Sequence, residues 1–229
     1  MPDPAFSRTE RLLGAVALQK LQDSHVAVFG IGGVGSFAAE ALARTGVGHL
    51  TLIDADRVCV SNLNRQLVAL NSTIGQLKTD VMAERIRDIN PAATVTTHPM
   101  FYSRETADTL DLRAFDFIAD AIDSVDAKVE LIVRARQAGV PLISCMGAGN
   151  KLDPTRFEVA PLSKSSVCPL CKIMRRRLKA CGIDDVGVVY SREMPQRLHP
   201  PGSVAFVPSV AGLILAGELV KALIAPSAP

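Results

Sequence analysis

Apolar residues along this chain fall into short and long segments that alternate. Short runs of the length of buried strands occur at 25–30, 49–54, 94–98, 115–122 and 141–146. Longer amphipathic segments lie between these runs, at 36–45, 78–89 and 125–138. Helices that alternate with strands are typical of βαβ units, in which the strands pair in parallel. The pattern therefore predicts the α/β class, with a mainly parallel sheet and helices on both of its faces.

The alternation changes after Gly147. Strands are predicted at 156–161 and 186–191, on either side of a basic helical segment. A final helix is expected from about Ser209 to Ile224, after Pro208, with Ser209 as its N-cap. No long linker divides the chain. We therefore expect one domain over 1–229, with an N-terminal arm at 1–24, a core at 25–149 and a C-terminal elaboration of extra strands and helices at 150–229.

Composition and charge exclude only a few classes of protein. A chain of 229 residues with 48% hydrophobic residues can bury one sizeable core, and a net charge of +2 indicates no particular partner. The apolar run from Val210 to Ala225 carries Glu218 and Lys221, which favours a buried helix over a membrane span. The chain has five cysteines, an odd number, and we see no export signal, which is typical of a protein whose thiols stay reduced. We expect a cytoplasmic protein that does not enter a membrane.

A glycine-rich turn separates the first strand from the helix that follows it. Gly30, Gly32 and Gly35 form G-x-G-x-x-G, with Gly33 inside the motif. Small residues let the backbone turn sharply and approach a phosphate, whose charge then lies at the helix N-terminus. Asp54 ends the second strand, where a carboxylate can accept hydrogen bonds from ribose hydroxyls. The sequence predicts a Rossmann-like fold with an adenine nucleotide site; the alternative is a tight turn without a ligand.

The cationic residues decide between two nucleotides. Arg65 and Lys78 follow the second strand, and Arg8 lies in the N-terminal arm. A nucleoside triphosphate carries more negative charge than NAD and usually recruits Arg or Lys side chains, often with Mg²⁺. Asp123 follows the fourth strand, at the sheet edge where such folds bind ligands. This combination favours ATP with Mg²⁺ over NAD.

Four ordered motifs between about Arg8 and Gly149 resemble a known family. GIGGVGS, DADRVCVSNLNRQ, GQLKTD and AIDS are similar to the adenylating core of ubiquitin-activating-type enzymes and their bacterial relatives in molybdopterin and thiamine synthesis. The resemblance implies that a carboxylate attacks the α-phosphate of ATP to give an acyl-adenylate. It also implies catalytic roles for Arg65, Lys78 and Asp123, and Asp123 would hold Mg²⁺ or the reacting α-phosphate region. The implied nucleotide-binding residues are Gly30, Gly32, Gly33, Gly35, Asp54, Asp56, Asn64, Arg65, Lys78 and Arg8.

The segment FSRTE resembles the arm of the same family. In that arm an arginine, here Arg8, reaches into the nucleotide site of a partner subunit. The resemblance therefore implies a homodimer with two shared sites.

The cysteines give a weaker signal. Cys168 and Cys171 form one C-x-x-C pair, and the remaining cysteines are Cys59, Cys145 and Cys181. A structural zinc in this family needs a second such pair, so zinc is disfavoured. A catalytic thiol is open as an alternative, but no activating base stands near the pair in sequence. Buried or incidental thiols are the favoured interpretation.

A basic helix is predicted from about Pro169. Lys172, Arg175, Arg176 and Lys179 recur at helical spacing and form one basic face, with Arg177 pointing away from it. Apolar residues are expected broadly on the other side, at Leu170, Ile173, Met174 and Leu178. No acidic residue occurs between Glu158 and Asp184. The face therefore suits a polyanion such as RNA, or it is an ordinary solvated surface.

Together with GVVYSREMPQ and the C-terminal segment from Gly202, this helix resembles the tRNA threonylcarbamoyladenosine dehydratases. The resemblance covers nearly the whole chain and implies a tRNA substrate with threonylcarbamoyladenosine at position 37. ATP would adenylate the threonine carboxylate, and an atom of the carbamoyl group would close the ring. CPLC departs from this pattern. The alternatives are activation of the C-terminal Gly-Gly of a ubiquitin-like sulfur carrier, with a sulfur-relay protein as a further partner, and a nucleotide-binding module without catalysis.

Overall fold

The computed structural model describes residues 4–226, and its centre is one seven-stranded sheet. The strands are β1 His25–Phe29, β2 His49–Ile53, β3 Thr94–His98, β4 Phe117–Asp120, β5 Leu142–Cys145, β6 Phe157–Pro161 and β7 Gly187–Ser191. Their order across the sheet is β3-β2-β1-β4-β5-β7-β6. All neighbouring pairs are parallel except β6 and β7. The predicted α/β class with a mainly parallel sheet is confirmed.

Helices pack on both faces of this sheet, as predicted. They are α1 Ser7–Leu13, α2 Ala15–Gln22, α3 Gly35–Thr45, α4 Lys78–Ile89, α5 Val125–Ala138, α6 Pro169–Ala180 and α7 Phe206–Ile224. Alternate residues of β1 point to opposite faces, so Val26 joins the core with Leu42 of α3, while Phe29 joins a second core with Leu131 of α5. A third apolar cluster lies between α5 and α6.

The apolar C-terminal helix α7 belongs to the core. By length and composition alone it could cross a membrane, but half of its most apolar stretch is buried inside the molecule. Leu215 and Leu219 are fully buried, and a Cβ at Gly212 would lie 2.2 Å from the carbonyl oxygen of Val34. Because Gly212 has no side chain, α7 can approach the turn before α3 closely. The expected buried helix is present.

The predicted start of α7 and the predicted end of β4 are wrong. Helix α7 begins at Phe206, so Ser209 lies inside the helix and does not cap it. Pro208 is tolerated there because the N–H groups of a first helical turn have no intrahelical partner. Strand β4 ends at Asp120, where the predicted run continued to residue 122. The Asp120 carboxylate accepts a hydrogen bond of 3.1 Å from the N–H of Ile122, and this turns the chain out of the sheet.

A connection between β7 and α7 crosses the carboxyl edge of the sheet. We call residues 192–205 the roof segment, because part of it lines the cavity described below. Asn150 holds this segment through four hydrogen bonds that involve both its backbone and its side chain. They join Asn150 N to Gly202 O (2.8 Å), Gln196 N to Asn150 O (2.8 Å), Gly202 N to Asn150 Oδ1 (2.6 Å) and Asn150 Nδ2 to Leu198 O (3.2 Å).

Candidate active site

A cavity of about 1280 Å³ opens at the carboxyl edge of the sheet. Loops after β1, β2, β4 and β5 form its walls, at the point where the strand order reverses around β1 and β4. Open α/β sheets bind their ligands at such a point. The residues predicted from sequence that line this cavity are Gly30, Gly32, Gly33, Asp54, Asp56, Asn64, Arg65, Lys78 and Asp123.

The glycine-rich turn forms one end of the cavity. Gly30 has a φ of +87°, and a Cβ there would lie 2.7 Å from the carbonyl oxygen of Ala121. Gly35 does not line the cavity: its Cβ would lie 1.7 Å from the oxygen of Gly30, so it packs the start of α3 against the turn. Gly32 is open to the cavity, where a Cβ would meet only Gln66 Nε2 at 3.8 Å. The turn therefore brings backbone and the N-terminus of α3 to a ligand, as phosphate binding requires.

Asp54 follows β2 and faces the turn. Its carboxylate accepts hydrogen bonds from the N–H groups of Ile31 (2.6 Å) and Asp56 (2.8 Å), one on each oxygen. Each carboxylate oxygen has a second acceptor position free for a ribose hydroxyl. Burial raises the pKa of Asp54, although Lys78 and the two N–H groups oppose that shift. The carboxylate is thus oriented by the backbone before any ligand binds.

Lys78 is the first residue of α4, and its side chain is only 6% exposed. Its Nζ lies 2.7 Å from Oδ2 of Asp56, whose side chain is 69% exposed. The lysine stem is therefore held by the protein, while its charged tip meets a solvated carboxylate at the cavity wall. A phosphate entering the cavity could replace that carboxylate as the partner of Lys78.

Arg65 and Asn64 form a linked pair between the β2 loop and the roof segment. Nη1 of Arg65 donates to Ser61 O (2.8 Å) and to Oδ1 of Asn64 (2.9 Å). Nδ2 of Asn64 donates to Ser203 O (2.9 Å) in the roof segment. Asn64 therefore connects the cation expected to bind phosphate with the segment above the cavity.

The structure adds residues that the sequence reasoning missed. Asn62, Gln66 and Tyr102 are buried in the cavity wall. Among the residues described, Gln66 Oε1 and the Tyr102 hydroxyl are buried polar atoms without a hydrogen-bond partner. Burial raises the pKa of Tyr102 to about 12. Buried polar atoms normally have a hydrogen-bond partner, and a polar ligand such as a nucleotide would supply one here. In the sequence, only the motif SNLNRQ could have indicated a binding role for Asn62 and Gln66. No motif indicated such a role for Tyr102.

Asp123 stands exposed on the cavity wall, in the loop after β4. Behind this loop Asp120 and Lys128 form a fully buried ion pair at 2.9 Å, and Ser144 Oγ donates to Asp120 at 2.5 Å. The pair fixes the loop through Ile122, as described above, and the sequence reasoning did not identify it. Residues 4–226 contain no group of three or more His, Cys, Asp or Glu that could hold a metal by itself. One carboxylate together with phosphate oxygens is nevertheless the donor set that Mg²⁺ commonly uses.

The predicted basic helix is α6, but its residues are not equivalent. Lys172, Arg176 and Lys179 are exposed, whereas Arg175 is half-buried. Nη1 of Arg175 donates to Leu162 O (3.2 Å) and Ser165 O (2.8 Å), so Arg175 has a structural role beside any part in binding. Arg177 lies apart and pairs with Asp126 of α5 at 2.7 Å.

The apolar side of α6 also differs from the prediction. Cys171, Met174 and Leu178 are buried, at the spacing of one helical stripe. Ile173 is 40% exposed, because its position on the helix falls outside that stripe. Leu170 is half-buried and lines the cavity. The N-terminal turn of α6 is therefore part of the cavity wall, with the basic residues following it along the helix.

Arg8 lies on α1, is exposed and does not line the cavity of its own chain. Its predicted action in a partner's site stays a prediction, as does the homodimer.

Comparisons with known proteins agree with this geometry. The tRNA threonylcarbamoyladenosine dehydratase of Bacillus subtilis (strain 168) is 45% identical over 96% of this chain and 94% of that protein. The enzyme of the same name from Escherichia coli (strain K12) is 48% identical over 80% of this chain and 67% of its own length. The crystal structure of E. coli tRNA N6-threonylcarbamoyladenosine dehydratase, TcdA, in complex with ATP superposes with a TM-score of 0.89 at 40% identity, covering 96% of this chain and 93% of that one. The model of the ThiF family matches residues 6–229, and the chain belongs to this family.

Proposed function

We propose that the protein is an ATP-dependent tRNA threonylcarbamoyladenosine dehydratase. The observation that carries the proposal is the position of α6: its Leu170 lines the same cavity as the glycine turn, Asp54, Lys78 and Arg65. A helix with exposed basic residues thus begins at a nucleotide-sized cavity. Relatives that align with most of the chain carry this enzyme name, and a solved one binds ATP.

The reaction follows from the charges around the cavity. The threonine carboxylate of the modified nucleoside attacks the α-phosphorus of ATP, and pyrophosphate leaves. Charge moves toward pyrophosphate in this step, and the side chains of Arg65 and Lys78 stabilise it there. Asp54 holds the ribose. Asp123 would hold Mg²⁺, which would supply positive charge to offset part of the charge of the phosphates.

Ring closure uses the substrate's own atoms. An atom of the carbamoyl group attacks the activated threonine carbonyl, and AMP leaves. The net change in the nucleoside is the loss of one water molecule. No protein thioester forms, and the buried positions of Cys168 and Cys171 agree with a reaction that does not use them.

Binding of tRNA is assigned to the exposed basic residues of α6. Lys172, Arg176 and Lys179 would contact phosphates, since Lys and Arg bind nucleic acid mainly through its backbone. Arg175 keeps the helix attached to the Leu162–Ser165 segment and supports the same surface. The proposal includes a cytoplasmic homodimer in which Arg8 of each chain completes the partner's phosphate site. A sulfur-relay protein stays a proposed further partner.

The test is ATP–pyrophosphate exchange with three substrates. We expect exchange with tRNA that carries threonylcarbamoyladenosine, and loss of water from that nucleoside by mass spectrometry. The same tRNA without the modification should be inactive, because it has no carboxylate to adenylate. Exchange driven instead by a carrier protein with a C-terminal Gly-Gly would favour the sulfur-carrier alternative.

A matched pair of aspartate variants locates the reaction in this cavity. Asp123→Asn should abolish exchange, because it removes the charge expected to hold Mg²⁺. Asp126→Asn should retain it, because Asp126 is a nearby exposed aspartate that pairs with Arg177 outside the cavity. Equal activity of both variants would contradict the assigned role of Asp123.

A further inference from the structure

The CPLC motif places two buried cysteines on the first turn of α6. Cys168 is the N-cap and Cys171 the third residue of the helix. Their exposures are 2% and 0%, both lie in the apolar cluster between α5 and α6, and each thiol shifts the pKa of the other. Residues three apart at the start of a helix lie on the same side of its first turn, which is the arrangement of C-x-x-C dithiols. Neither cysteine has a part in the proposed adenylation.

The surroundings of Cys168 favour a thiolate. Helix N-termini stabilise negative charge, and Lys151 adds a buried ammonium nearby. The Lys151 side chain is held in place because its Nζ donates to Gly147 O at 2.7 Å. The Cys171 thiol lowers the pKa of Cys168 most, by hydrogen bonding to its sulfur. Backbone N–H groups and Lys151 lower this pKa further. The sequence reasoning found no activating group because Lys151 is distant from the motif in the chain.

The second thiol has the opposite character. The pKa of Cys171 is raised by its hydrogen bond with Cys168, by burial and by the neighbouring negative charge. An attacking thiolate next to a protonated second thiol is the arrangement of dithiols that exchange with disulfides.

The chain just before the motif gives a route to solvent. Lys164 and Val167 are exposed, and Val167 has a φ of 64°. A β-branched residue in the left-handed region is strained, and a change of its backbone conformation would release that strain. Cys168 is the next residue, so a local opening at Val167 would give a small disulfide access to its sulfur.

From this geometry we propose that Cys168 and Cys171 form a redox modification site that reacts with low-molecular-weight disulfides such as oxidised glutathione. The Cys168 thiolate attacks one sulfur of that disulfide, forms a mixed disulfide and releases one thiolate. Cys171 loses its proton to solvent and attacks the Cys168 sulfur, which forms the Cys168–Cys171 disulfide and releases the second thiol. Two protein thiols are oxidised by two electrons, and the small disulfide is reduced to two thiols.

The wild-type full chain tests the site without tRNA or ATP. The protein is equilibrated with mixtures of reduced and oxidised glutathione, quenched with acid, alkylated after denaturation and digested with trypsin. Cleavage after Lys164 and Lys172 leaves both cysteines in one peptide. We expect this peptide to become resistant to alkylation and lighter by two hydrogen atoms than its reduced form, and to revert in excess reduced glutathione. Cys59 and Cys181 are exposed and serve as internal controls that should stop at the mixed disulfide.

Two single variants separate attack from resolution. Cys171→Ser should accumulate a mixed disulfide on Cys168, whereas Cys168→Ser should leave Cys171 as a thiol. The proposal is overturned if the wild-type peptide stays fully alkylated while Cys59 and Cys181 are modified. Equal trapping by the two variants would also overturn it. The wild-type measurement decides alone if either variant does not fold.

Discussion

Lys78 offers the sharpest test of the phosphate site, through the substitution Lys78→Met. The lysine stem is buried and its charged tip pairs with the solvated carboxylate of Asp56 at 2.7 Å. Methionine keeps most of the apolar packing of that stem and removes the charge. Loss of the cation leaves Asp56 in water, not in the protein interior, so the effect on folding should be that of a surface pair, about 0.2–1 kcal/mol.

The effect on ATP should be larger. A hydrogen bond from a charged group to a phosphate contributes about 1.5–3 kcal/mol. In the free protein Lys78 already has Asp56 as a partner, and that contact is given up when a phosphate arrives. The net loss for the variant is therefore about 0.5–2.8 kcal/mol, since exposed pairs of this kind contribute up to about 1 kcal/mol. ATP affinity should fall about two- to hundredfold.

Calorimetry with ATP and thermal unfolding of the free protein measure the two effects separately. Lys221→Met is the matched control, because Lys221 is exposed, forms an ion pair with Glu218 on α7 and does not line the cavity. We expect Lys221→Met to leave ATP affinity unchanged. If Lys78→Met lowers the unfolding temperature but binds ATP as tightly as the wild type, Lys78 is a structural residue and its assignment to phosphate is refuted.

Three further predictions concern other parts of the site. Asp54→Ala should weaken ATP binding by about 1.5–3 kcal/mol, and calorimetry with NAD should show no binding to the wild type. The ATP affinity of the wild type should decrease as the pH is lowered. Because the pKa of Asp54 is raised, its carboxylate is protonated, and the decrease begins, at a higher pH than for an ordinary aspartate. Mixing Arg8→Ala with Arg65→Ala chains should restore activity, since one site of each mixed dimer is then intact; no recovery after verified subunit exchange would exclude action across the dimer. Arg176→Glu should weaken tRNA binding, with unchanged ATP affinity, and Arg176→Ala should reduce the slope of log affinity against log salt by about one unit. Arg177→Ala is the control for the latter, and an equal effect of both alanine variants would contradict the proposed basic surface.

The elements that the sequence predicted well depend on local patterns. The strand and helix alternation, the glycine turn and the position of Asp54 directly after β2 all follow from residues adjacent in the chain, and the structure has them at nearly the expected bounds. The contacts of charged side chains were harder to predict from the sequence. Helical spacing alone placed Arg175 with its three basic neighbours, because the carbonyl groups that hold it belong to the segment before the helix.

The residues that escaped prediction are those whose role depends on distant partners. Asp120 and Lys128 lie on different elements and form a buried pair that no periodicity reveals. Tyr102 follows an edge strand and looks like an ordinary core aromatic, yet its hydroxyl is buried at the cavity without a partner among the described residues. Lys151 becomes a neighbour of Cys168 only when β5 and α6 are in place. Such contacts depend on the three-dimensional fold and not on spacing.

The attachment of the roof segment to Asn150 has a consequence for ligand exchange. One residue holds the backbone at both 196 and 202, so loss of its contacts frees residues 196–202 of the roof segment together. This part of the roof should therefore open as one cooperative unit, with amide hydrogens that report a common free energy of opening. For any ligand that requires the open form, the apparent dissociation constant is the intrinsic one divided by the open fraction. Asn150, which does not line the cavity, can in this way set the affinity of a molecule that it never touches.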